Sequence, residues 1–326
     1  MPAPINNFKK AIQSGKVQIG CWAGMADAYA TEMLGTAGFD WILIDGEHAP
    51  NDVRSVLSQL HALNASSSEA VVRLPVGNEA LVKQYLDIGA QTLLIPIVES
   101  AEQARKMVLA TKYPPHGRRG VGAALARASQ FSGISDYVKT ADEQVCLLLQ
   151  VENMAGMDAL DEILAVVGVD GVFIGPADLA ADMGHPGQTA HPIVRTKVLE
   201  AIAKIKAAGV PAGILSTEDT FSKQCIDLGV EFTAVGIDVL QYVNALRNLA
   251  AAPEATSAAS KAAEPEPEPE PEPATTPLDY KTFLAPPHPT NFFCTLPFSS
   301  ESKLVDTWDA YNTKVGGHWT EDVLLE

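Results

Sequence analysis

Two carboxylates and the runs that carry them organise the chain. From Val145 to Asp182 it reads VCLLLQVEN, a segment of helical period (Met157, Leu160, Ile163, Leu164, Val167), then GVDGVFIGPADLAADMG. The two apolar runs have strand length, and unbroken apolar runs suit strands buried on both faces of a parallel sheet. A right-handed crossover brings both strand C-termini to one edge, which sets Glu152 and Asp178 side by side. Adjacent carboxylates repel unless a positive charge lies between them, and hard oxygen donors suit a divalent cation. The ordinary alternative is a helix N-cap at one residue and a surface charge at the other.

The elements that must position them alternate along the first 250 residues. Strand-like runs begin at Gln18, Trp41, Val71, Thr92, Val145, Gly171, Pro211 and Phe232, each followed by helical sequence. Helices are expected from Ala26 to Ala37 and from Ala80 to Leu86, behind Asn51 and Asp52, and behind a Ser100 N-cap. The last runs from about Val239 to Ala250. About 250 residues of β/α alternation predict a (β/α)8 TIM barrel, with a doubly wound sheet as the alternative. Between Gly117 and Glu143 the pattern loosens into a long loop expected to cover a pocket, with Arg119 and Arg127 available to meet an anion. Gly120-Val121-Gly122 lacks the third glycine and the preceding strand of a dinucleotide fingerprint.

Barrel sites are built at the C-terminal strand ends. Those ends carry Asp45 and His48, Arg73, Gln150 and Glu152, and Asp178. A histidine beside an acid can move protons near neutral pH, and an arginine can hold a carboxylate or an oxyanion. Singly, His48 reads as a loop histidine and Arg73 as an ion-pair partner; together on one rim they read as a site. No strand interior or strand C-terminus carries a lysine, so Schiff-base chemistry lacks its nucleophile. A metal acting as Lewis acid is then the route to an enolate from a 2-oxo acid.

Composition narrows the partners. The net charge is -17, and neither residues 1–250 nor 251–326 are basic, which speaks against nucleic acid. No apolar run approaches a membrane span, and the N-terminus lacks a signal-peptide core. Four scattered cysteines (Cys21, Cys146, Cys225, Cys294) without a CxxC pair fit a reducing cytoplasm.

The motifs FDWILIDGEHAPN, VVRLP, QTLLIPIV, YPPHGRRGVGAALARAS, LQVEN, GVDGVFIGPADLAADMG and TAVGID together resemble the HpcH/HpaI aldolases, over about residues 5–250. The resemblance implies a metal-dependent (class II) aldolase of the 4-hydroxy-2-oxoheptanedioate type, using Mg2+, Mn2+ or Co2+. Such an enzyme cleaves 4-hydroxy-2-oxo acids to pyruvate and an aldehyde, and is usually a hexamer that exchanges its final helix. By position, Glu152 and Asp178 match the metal ligands, and Arg73 the arginine that stabilises the pyruvate enolate. Gln150 matches a pyruvate contact. His48 and Asp45 match a dyad that manages the proton through a metal-bound water. The N–H groups of Ala177 and Asp178 match donors to the pyruvate carboxylate, and Asp87 an acidic position near the aldehyde. Trp22 and Leu215 read as pocket lining or as ordinary core.

From Ala251 the composition changes. Residues 251–278 read as a low-complexity Pro/Glu/Ala linker. Residues 279–326 hold eight of the chain's 21 aromatics, a composition expected of a segment that docks on an unidentified partner or on the barrel, or of a poorly folded remnant. Three rival functions stay open beside the leading one. They are an aldolase for 2-keto-3-deoxy sugar acids, a CoA-thioester lyase of the citrate-lyase β type, and a catalytically idle barrel that serves as a scaffold for its tail.

Overall fold

Alternation decides which side chains enter the barrel. In a strand, residues two apart share a face. Trp41 and Leu43, Val71, Leu94, Cys146 and Leu148, and Phe173 form one buried cluster, while Ile42, Ile44, Val72, Leu93, Leu147, Val172 and Ile174 belong to another. The first cluster fills the barrel and the second packs under the helices. The computed structural model describes residues 1–261. The segment 279–326, and all of the linker beyond residue 261, lie outside the described residues.

The first elements are α1 (Asn7–Gln13), β1 (Gln18–Ala23), α2 (Ala28–Gly35), β2 (Trp41–Asp45), α3 (Val53–Ala62), β3 (Glu69–Arg73) and α4 (Glu79–Asp87). There follow β4 (Thr92–Ile95), α5 (Ala101–Thr111), α6 (Tyr137–Gln144), β5 (Cys146–Val151), α7 (Met154–Asp158), α8 (Leu160–Leu164) and β6 (Gly171–Ile174). The chain continues through α9 (Pro176–Asp182), α10 (Pro192–Ala207), β7 (Ala212–Leu215), α11 (Asp219–Asp227), β8 (Phe232–Ile237) and α12 (Asp238–Lys261). The strands close in order, with β8 parallel to β1. Closure makes this a (β/α)8 TIM barrel and excludes the doubly wound sheet. From below, α1 inserts Phe8, whose ring lies 5.7 Å from both Trp41 and Phe232.

Caps and boundaries follow side-chain chemistry. Asp52 and Ser55 form a capping box on α3, and Ser100 caps α5 by accepting from the Gln103 N–H. Asn51 does not cap; its amide donates to the Asp45 carbonyl at 2.7 Å and so ties the β2 end to α3. Three expected boundaries shift. Helix α2 starts at Ala28 because Asp27 caps it and Ala26 has φ +56. The loosened stretch 117–143 holds two 3-10 turns and most of α6. The last helix continues past Ala250 to Lys261. No helix among the described residues is long and apolar enough to cross a membrane. Cys21, Cys146 and Cys225 are buried free thiols, all pushed above the usual thiol range by burial.

Candidate active site

Register brings Asp45 and Arg73 together. They are Cα partners across β2 and β3, at inward positions of the last pleat. Arg73 Nε donates to Asp45 Oδ1 at 2.8 Å and Nη2 to Oδ2 at 2.7 Å, a two-pronged pair. Arg73 Nη1 lies 2.8 Å from Glu47 Oε2, and the guanidinium sits 5.1 Å from the centre of the Trp22 ring. Asp45 also receives the Trp22 indole N–H (3.3 Å) and the backbone N–H groups of Glu47 and His48 (2.9 and 3.4 Å). Burial pushes its carboxyl up, but Arg73 and the backbone donors more than offset this and hold it below the usual range. Glu47 is held above that range by burial, against the pull of Arg73 and His48. Gly46 makes the turn possible, because a Cβ there would lie 2.5 Å from the Arg73 carbonyl.

On the opposite wall, Gln150 and Glu152 extend the inward set of β5. Glu152 is buried and accepts from the Ile97 N–H (2.8 Å) and from Gln150 Nε2. Ile97 adopts φ +52, a left-handed conformation costly for a β-branched residue, and that turn aims its N–H at the carboxylate. Burial pushes the Glu152 carboxyl up to about 7, and the charges of Glu47 and Asp178 add to the rise. Glycine at 175 leaves room for it: a Cβ there would meet Glu152 Oε2 at 2.6 Å. Helix α9 then starts, and its first intrahelical bond is from Leu179 N–H to Gly175 O at 3.2 Å. Ala177 and Asp178, whose N–H groups precede that bond, line the cavity.

The cavity so enclosed has a volume of about 460 Å3. Asp45, His48, Arg73, Gln150, Ala177, Asp178, Trp22 and Leu215 all line it, and Ile237, Val239 and Leu240 add an apolar side. Glu152 lies behind Gly175 and Gln150. The residues suit a divalent cation. Glu152 contacts no basic side chain of the described residues, Asp178 and Glu47 are close enough to raise its pKa, and Gln150 Oε1 is buried with no hydrogen-bond partner among them. These are hard oxygen donors. Among the described residues no group of three or more His, Cys, Asp or Glu side chains converges to hold a metal.

A family model, HpcH/HpaI aldolase/citrate lyase, matches residues 18–245. The chain belongs to that family. As an HpcH/HpaI member it is 60% identical over 247 residues to a hydroxypyruvate/pyruvate aldolase of Roseovarius nubinhibens, covering 76% of this chain and 96% of the relative. It is 49% identical to a 2-keto-3-deoxy-L-rhamnonate aldolase of Escherichia coli, over 74% of this chain and 90% of the relative. A solved family structure from Burkholderia cenocepacia superposes with a TM-score of 0.72 at 40% identity, covering 75% of this chain and 97% of that one.

Three expected placements differ in this HpcH/HpaI barrel. Asp87 does not line the cavity: it ends α4, at the opposite pole from the strand C-termini, and pairs with Arg119 at 2.7 Å. Arg119 is not free to meet an anion. Its side chain is buried over the rings of Tyr113 (4.4 Å) and Tyr137 (5.9 Å). Arg127 donates to the Ile88 carbonyl and to Asn64, both at 3.0 Å. His48 and Asp45 both line the cavity as expected, joined by the His48 backbone N–H, with Asp45 also held by Arg73. Glu47, Ile97 and Gly175 are the site residues that the sequence reading missed. Glu47 had a usable signal, since it stands between Asp45 and His48 at a strand end.

Proposed function

We propose that this protein is a divalent-cation-dependent aldolase that joins C3 of a 2-oxo acid, pyruvate or hydroxypyruvate, to the carbonyl carbon of an aldehyde, and reverses that step. One observation carries the reading: one cavity is lined by an immobilised guanidinium, Arg73, and by Asp178, with Glu152 just behind its Gln150 and Gly175 wall, and no basic side chain of the described residues pairs with either carboxylate. The relatives named as hydroxypyruvate/pyruvate aldolases support the 2-oxo acid half. Because one set of relatives is named for its 2-oxo acids and another for a 2-keto-3-deoxy sugar acid, the 4-hydroxy-2-oxoheptanedioate expectation widens to 4-hydroxy-2-oxo acids as a class.

When bound at Glu152 and Asp178, Mg2+, Mn2+ or Co2+ supplies Lewis-acid polarisation of the 2-oxo acid's carbonyl. This chain's own groups do the rest. Arg73, fixed by Asp45, Glu47 and Trp22, needs no rearrangement to stabilise negative charge as it develops on the keto oxygen. The N–H groups of Ala177 and Asp178 receive the carboxylate. His48, the imidazole lining the cavity, accepts a proton and returns it. In the forward direction C3 loses a proton, the new carbon–carbon bond forms, and the aldehyde oxygen is protonated. No oxidant or reductant is needed. The cavity of about 460 Å3 equals the liquid volume of about fifteen waters at about 30 Å3 each, ample room for six-heavy-atom pyruvate beside a small aldehyde.

Pyruvate release from a 4-hydroxy-2-oxo acid tests the reading. Release should vanish with EDTA, return with Mn2+ and be absent in Glu152→Ala; release that persists with EDTA and in the variant would overturn it. We further infer a homo-oligomer, which the exposed Leu240, Tyr242, Leu246 and Leu249 on α12 support.

A further inference from the structure

A cavity of about 350 Å3 lies at the pole opposite Arg73. Val145 and Asp170, which line it, immediately precede β5 and β6, and Lys9 reaches it from α1 below the barrel. The aldol chemistry makes no use of this space. Its charges fall into two groups. One group is engaged by the fold. Lys9 Nζ donates to the Val145 carbonyl at 2.7 Å and lies 3.0 Å from Asp170 Oδ1, while Asp170 Oδ2 accepts the Leu147 N–H at 2.9 Å. Asp142 accepts the Tyr113 N–H at 3.0 Å and faces His116 Nδ1 at 3.6 Å. The other group is open. Lys112, just past α5, is half-buried, and Glu143, in the last turn of α6, is exposed. Neither side chain has an ion pair or a hydrogen bond among the described residues. The Lys112 ammonium lies over Gly168, 3.5 Å from where a Cβ would stand, so the glycine leaves it room.

A partly desolvated ammonium without a counter-charge is costly, and a ligand anion relieves that cost. A simple anion fits poorly, because three carboxylates against two lysines line the space. A simple cation meets Lys9 and Lys112, and the carboxylates form no metal-holding group. A molecule that carries both charges satisfies both open groups, with its carboxylate at Lys112 and its ammonium at Glu143. We propose that this cavity binds a free α-amino acid as its zwitterion. The volume equals that of about twelve waters at about 30 Å3 each, which leaves room for a side chain. The site stands apart from the aldolase reading and does not depend on it.

Isothermal titration calorimetry on the full chain in EDTA tests the site with the first cavity free of cation. L-alanine supplies both charges, L-lactate keeps only the carboxylate and isopropylamine only the ammonium, at nearly the same size. L-alanine and L-glutamine should both bind saturably, because the charges common to them carry the recognition. L-lactate and isopropylamine should each bind about tenfold or more weakly. Lys112→Met and Glu143→Gln should each weaken L-alanine about tenfold with no change in Tm, since neither side chain holds the fold together. Glu152→Gln alters the other pole and should leave the affinity as it was. Absence of saturable binding by both amino acids, equal affinity for L-lactate, or an unchanged affinity in either variant at 112 and 143 would overturn the site. Loss of binding in Glu152→Gln would move it to the first cavity and overturn the proposal as well. No turnover is read, so a failure here leaves the aldolase reading standing.

Discussion

The barrel buries two arginines in much the same way and for different ends. Arg73 and Arg119 both face an aspartate at 2.7 Å, and both lie against aromatic rings. Arg73 stands at the C-terminal pole beside a cavity, with two carboxylates holding it and two more nearby. Arg119 stands at the other pole in a slot between Tyr113 and Tyr137 that bears on none of the site residues. A buried ion pair is weak evidence for function by itself. What separates them is whether the remaining hydrogen-bonding capacity faces a space that substrate can fill.

The largest expected effect breaks the first pole alone. Arg73→Lys keeps the charge but loses the two-pronged geometry, and kcat for pyruvate release should fall about 100- to 1000-fold with the protein still folded. Asp87→Asn should do the reverse. It strands a buried guanidinium, costs about 3 kcal/mol and lowers Tm by roughly 6–12 °C, while the folded protein keeps its kcat. Equal kinetic losses in the two variants would erase the distinction between the poles.

Smaller effects sharpen the contrast. Gly175→Ala pushes a Cβ against Glu152 Oε2 and should weaken divalent-cation affinity about 10- to 100-fold, measured by Mn2+ titration. The pH dependence belongs to the site pole. Glu152 has its carboxyl raised to about 7, so the stability it contributes to the cation-free protein is present at low pH and lost as pH rises through about 7. Glu152→Gln should therefore raise the Tm of the cation-free protein at pH 8 and leave it unchanged near pH 4, below the ordinary glutamate range. Cation affinity should fall about tenfold per pH unit below 7, as the proton must leave first.

Much of this was legible in the residues. Asp45, Arg73 and Gln150 sit at inward positions of strand ends, and the period of two marks them before any coordinates are known. The eight strands announce themselves as apolar runs because both their faces are buried. Other features depend on contacts that periodicity does not encode. Arg119 reads as a loop arginine, and only packing reveals the slot that Tyr113 and Tyr137 build from separate segments. Asp87 belongs to a helix that runs back to the far pole, so its motif position says nothing of which cavity it can reach.

The measurement that tests the central claim most directly is Mn2+ binding to the cation-free protein, followed by electron paramagnetic resonance in three forms. The unaltered chain and Asp87→Asn should each bind one Mn2+, and pyruvate should perturb its spectrum in both; Glu152→Gln should lose the site while remaining folded. Binding that survives Glu152→Gln, or that disappears in a folded Asp87→Asn, would contradict the assignment of the two poles.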